Sequence, residues 1–118
     1  MNKMNDILQY LEYKDKKIPL AFTLNVMAAM QKEYGTYEAW QSKLISESGE
    51  PDAEALIFGF TEMLNEGISI ENDENGTDNK LLLPRQVGRI ITEIGMQKAF
   101  DKLTEAQKEA TKSDEKNG

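Results

Sequence analysis

The 118-residue chain has neither cysteine nor histidine. Without cysteine there are no disulfides and no thiolate nucleophiles; without histidine the usual zinc sites and the commonest acid–base side chain near neutral pH are gone as well. Also missing is any Lys or Arg between residues 44 and 79, a segment that holds ten Asp and Glu. Its ten negative charges exceed the net charge of −7, so the rest of the chain is slightly basic. An acidic face of that kind repels phosphate backbones, so nucleic acid is not the expected partner. Its simplest reading is a solvated surface; its functional reading is a face that meets a basic partner.

Catalytic signatures are missing too. There is no P-loop and no GxGxxG, the serines stand without a His or a basic dyad, and no carboxylate pair has a spacing that demands acid–base work. The sequence reads as a protein that is not an enzyme, with no cofactor and no metal.

What is present begins with residues 14–35, KDKKIPLAFTLNVMAAMQKEYG, where a basic cluster leads into an apolar stretch. A secretory leader would have a positive region, an apolar run of roughly 7 to 15 residues and a small-residue cleavage site. The residues before the lysines, however, interleave Ile7, Leu8, Tyr10, Leu11 and Tyr13 with Asp6, Glu12 and Asp15, and so carry acids and a pattern. A membrane span needs about 20 apolar residues, and residues 18–30 fall short and contain Pro19, Thr23 and Asn25. The expectation is a cytoplasmic protein without a membrane segment.

The period of the apolar residues changes inside this stretch. Residues 7–13 are ambiguous between a helical turn and a strand, but the polar KDKK followed by Ile18, Leu20 and Phe22 at period two predicts a hairpin with Pro19 on an edge. From Thr23, an N-cap, the period is 3.6: Val26, Met27, Met30 and Tyr34 share a helix face and Gly35 stops the helix. A short helix follows with Thr36 as cap and Tyr37, Trp40 and Leu44 on one side. Pro51 suits the first position of a third helix, with Leu56, Ile57, Phe60, Met63 and Leu64 apolar and Gly67 at its end. Gly59 inside it costs about 1 kcal/mol relative to Ala unless something packs closely there, which is the expectation.

Residues 68–79 read as turn chemistry, with a small hairpin between ISI and LLL as one option. Pro84 opens a regular helix in which Val87, Ile90, Ile91 and Ile94 form the stripe and Gly88 and Gly95 lie seven apart on a neighbouring face. After Gly95 the phase jumps to Met96, Ala99, Phe100 and Leu103, so the helix kinks or restarts. Residues 104–118 are expected to be a flexible polar tail behind a single domain over 1–103. The fold class is α+β: about four helices with an N-terminal β-hairpin.

Two segments resemble known sites. ENDENGTDNKLL, residues 71–82, has Asp73, Asn75 and Gly76 where a calcium loop has ligands and its glycine, but Leu82 stands where the bidentate Glu belongs, so an exposed acidic turn is expected. In residues 83–95 Arg85 and Arg89 sit on an Ile-rich helix that is too apolar to read DNA in the usual helix-turn-helix manner.

The order of parts resembles the tail assembly chaperones of long-tailed phages and prophages. The likeness covers roughly residues 7–100 and rests on the Pro-containing strand 18–22, on Glu33 with Gly35 closing the next helix, and on the Gly-bearing apolar helix 56–60. Where that family often has Trp in the later helix, this chain has Phe58 and Phe60. The resemblance implies a binding protein that coats the long helical tape measure protein and recruits tail tube subunits, with homo-oligomers left open. An adaptable apolar groove would serve that role, and Met27, Met30, Trp40, Phe58, Phe60 and Met63 are its candidate residues. Ordinary core packing is the competing role for each, and the expected one for most. The alternative function is a small acidic regulator of nucleic-acid machinery, through a helix-turn-helix at 84–100 or by mimicking DNA charge through 44–79.

Overall fold

A computed structural model of the chain describes residues 7–45 and 49–117, with side chains described through residue 110. Strands β1 (Gln9–Tyr13) and β2 (Lys16–Leu20) pair antiparallel, with Leu11 opposite Ile18. Lys14 and Asp15 alone make the turn, both at positive φ (48° and 62°). Two left-handed residues form the tight turn whose twist matches that of the flanking strands. The ambiguous segment 7–13 is thus strand in the main, and Leu11 and Leu20 are buried.

Helix α1 (Leu24–Tyr34) starts at Thr23, whose Oγ1 accepts from the Asn25 N–H at 3.2 Å. It ends at Gly35, at φ 92°, whose N–H donates to the Gln31 carbonyl at 2.8 Å. Helix α2 (Tyr37–Leu44) is capped by Thr36, which accepts from the Ala39 N–H at 2.9 Å. These caps stand where the sequence placed them.

Helix α3 (Ala53–Asn75) departs from expectation at both ends. Asp52 is its N-cap, accepting from the Ala55 N–H at 3.2 Å, so Pro51 precedes the cap instead of opening the helix. Gly67 does not terminate it; the helix runs on to Asn75 and closes at Gly76 in the left-handed region. The reason is packing: a Cβ on Gly67 would collide with the Pro19 carbonyl group and lie 2.6 Å from the Leu20 nitrogen, so glycine here admits the β2 backbone. Continuing the helix buries Ile68 and Ile70, and the small ISI–LLL hairpin does not form.

Residues 77–83 instead run back along α3, tied to it by two asparagines. The Asn72 side chain accepts from the Asn79 N–H at 2.9 Å and donates to the Asn79 carbonyl at 3.0 Å. Seven residues earlier, Asn65 accepts from the Leu82 N–H at 2.7 Å and donates to its carbonyl at 2.9 Å. Each amide plays the part of a neighbouring strand for one residue of the returning segment.

Helix α4 (Pro84–Ile94) begins with proline at its first turn, and α5 (Met96–Asn117) restarts after Gly95 at φ 97°. The sequence boundary at residue 103 falls inside α5, and Ala106 is buried beyond it. The side chains of 111–118, on which most of the expected tail falls, lie outside the described residues.

Helix α3 is the centre of the domain and packs on β2, α1, α2, α4 and α5. The α+β class is as read: a two-stranded hairpin and five helices. Among the described residues no helix is long and apolar enough to cross a membrane.

Candidate helix-binding groove

The first turns of α3 point Ala53, Leu56 and Ile57 toward α4, because apolar residues three and four apart share one helix face. Helix α4 answers with Gly88, Ile91 and Thr92. Gly88 has no Cβ, so Ile57 Cδ1 lies 3.4 Å from where one would stand and the helices approach closely. The resulting pocket, closed off by Gly95 and Met96, encloses ≈ 310 Å³. A second pocket of ≈ 320 Å³ lies between the end of α2 and the start of α5, lined by Leu44, Ile45, Gly49, Pro51, Met96, Gln97 and Phe100.

Met96 lines both pockets, which together are named the groove. Its rim holds exposed apolar side chains: Ile45 is 63% and Met96 39% accessible. Most of the lining side chains are apolar, so the walls offer mainly dispersion and hydrophobic contact.

Asp52 and Glu54 flank Ala53, which lines the first of these pockets. Burial, reinforced by Glu54, Asp52 and Glu33, pushes the Tyr34 phenol above its ordinary range. Further along α3, Glu66 accepts hydrogen bonds from the Thr23 hydroxyl and, at 3.1 Å, from the Asn25 amide, tying the start of α1 to α3. Partial burial first, and then the Glu66 charge, raise the Glu62 carboxyl.

The six residues singled out from sequence are placed elsewhere. Met30, Trp40, Phe60 and Met63 have 0% exposure and form the core. Trp40 Nε1 donates to the Ala55 carbonyl at 2.9 Å, and the indole lies over Gly59, where any Cβ would meet it. That is the close packing the interior glycine called for. Met27 and Phe58 are half-buried, and Phe58 meets Tyr34 edge-on with centroids 5.4 Å apart. None of the six lines either pocket.

The residues that do line the groove were visible in sequence mainly through the Gly88 and Gly95 pair, seven apart on one face. Met96 and Phe100 also stood in the stripe that restarts after Gly95, whereas Ile45, next to a break, carried no periodic signal. The calcium-like segment is helix over residues 71–75, the last turns of α3, and irregular over 76–82, and among the described residues no cluster of acids is placed to hold a metal ion. Arg85 and Arg89 are exposed on α4, and α4 joins α5 through Gly95 alone, where a helix-turn-helix has a turn of three or four residues. A search of protein-family profiles, curated proteins and solved structures found nothing that matches this chain.

Proposed function

We propose that the protein is a non-enzymatic phage or prophage tail assembly chaperone, acting in the bacterial cytoplasm, that binds the tape measure protein and recruits tail tube subunits. The observation that carries the reading is the apolar groove whose two pockets share Met96, with exposed apolar side chains at its rim. A long helical client exposes apolar faces that aggregate unless covered, and a groove between helices covers them by the helix-in-groove mode. The acidic remainder of the surface keeps the complex soluble. The three segments that carry the family resemblance are also neighbours in space, since β2 and α1 both pack on α3.

The test uses exposed groove residues, so that the fold survives. Ile45→Glu and Met96→Glu, singly and together, are expected to cut capture of the cognate tape measure protein at least about tenfold with an unchanged circular dichroism spectrum. Undiminished capture by the double variant sinks the reading.

A further inference from the structure

Helix α5 is held unlike any other helix of the fold. Of its described side chains, only Ala99, Leu103 and Ala106 are fully buried, at i, i+4 and i+7, and two of these are alanines. It swings from a single residue, Gly95, whose φ of 97° ends α4 and whose carbonyl accepts the first hydrogen bond of α5, from the Ala99 N–H at 3.2 Å. Midway along, the amide of Gln107 donates to the Tyr37 hydroxyl. The face beneath, on β1, α3 and α4, therefore accepts a helix through two alanines and one leucine, with the half-buried Phe100 packed against the same core.

Charge says which helix would compete. The chain carries −7 overall, yet α5 has five lysines balanced by five acids, so the body it lies on holds the whole excess. A basic helix with the same apolar stripe is attracted to that body where the neutral α5 is not.

We infer that α5 is a displaceable cover, hinged at Gly95, over a docking face for a basic amphipathic helix of the client with small side chains at i and i+7, an aromatic at i+1 and leucine at i+4; because Met96, Gln97 and Phe100 leave with α5, a helix docked here replaces one seated in the groove, and the two are alternative seats. The client's identity rests on the chaperone reading; the displacement does not. While α5 is seated, the apparent affinity for such a helix is reduced by the fraction of molecules that are open.

The experiment uses the full chain and a labelled peptide of residues 96–117 with Asp101→Asn, Glu105→Gln and Glu109→Gln, followed by fluorescence anisotropy. The amides of Gln41 and Gln107 both donate to the Tyr37 hydroxyl, so these side chains meet. In a chain without native cysteine, Gln41→Cys/Gln107→Cys joined by a short bismaleimide pins α5 in place. Pinning is expected to weaken peptide binding at least about tenfold relative to the same variant reduced and unlinked. Gln107→Ala, which loosens the cover, is expected to tighten binding several-fold, and raising salt from about 20 to about 500 mM to weaken it at least about tenfold. Equal binding by pinned and unpinned protein, or no binding to either at about 1 mM peptide, overturns the inference. No tape measure protein is involved, so a failure here and a failure of the groove variants are told apart.

Discussion

Helices α3 and α5 are nearly equal in length, 23 and 22 residues, and opposite in how they are held. Helix α3 buries ten side chains or glycines and packs on five elements; α5 buries three side chains among those described and rests on the outside. Length and helicity therefore say little about how strongly a helix is anchored. What separates the two is the size of the side chains they bury and whether glycine lets a neighbour come close.

The most damaging way to test that contrast is Trp40→Ala. It removes the indole that fills the space over Gly59 and leaves the Ala55 carbonyl short of a partner, and it is expected to cost about 4 kcal/mol in denaturant unfolding. Gly67→Ala drives a methyl into the β2 backbone, which cannot rotate away as a side chain can, for about 3 kcal/mol. Gly59→Ala should cost about 2 kcal/mol, and a double-mutant cycle with Trp40→Ala should recover most of it if the indole is what the methyl meets.

Next comes Asn65→Ala, which strands the half-buried N–H and carbonyl of Leu82 and is expected to cost about 1.5 kcal/mol. On α5, Ala106→Gly should cost about 1 kcal/mol, the helix-propensity difference with little packing added. Hydrogen exchange sharpens the same point: α3 amides should exchange only through global unfolding, those late in α5 through a cheaper local opening. A larger effect of Ala106→Gly than of Gly67→Ala would invert the comparison.

Glu62→Gln gives the smallest effect, with the opposite sign. Partial burial and Glu66 raise the Glu62 carboxyl in the folded state, so the fold binds its proton more tightly than the unfolded chain does. Stability from this group therefore falls as pH rises from 4.5, the ordinary value, through the raised one, and at neutral pH the charge is a burden. The amide should stabilise by at most about 0.5 kcal/mol at pH 7, because the site is partly solvated, and should flatten that part of the pH–stability curve.

Local chemistry was legible wherever it is read from adjacent residues. Thr23, Thr36, Gly35 and Gly95 mark helix ends by capping and backbone conformation, and Pro84 opens α4 for the reason its missing N–H gives. Gly59 was legible as a close approach, though not as an approach by Trp40. One failure was local, since Asp52 next to Pro51 takes the cap; the others share one cause, which is distance along the chain. Gly67 looks like a terminator until Pro19 is set against it, and Asn65 and Asn72 look like surface residues until the segment 77–83 returns to them. The two pockets were hidden for the same reason, since Ile45, Ile57, Gly88 and Met96 come together only when α2, α3, α4 and α5 meet.

The seat of β2 on Gly67 also sets an order of events in folding. The hairpin closes across two residues and can form within microseconds, but its docking surface exists only once α3 has grown past Gly67, nearly fifty positions further on. Docking must therefore wait for a long loop to close, which makes it a late step. Substitutions at Gly67 should then speed unfolding while leaving the folding rate almost untouched, and the molecule's lifetime in the folded state would rest on a side chain that is not there.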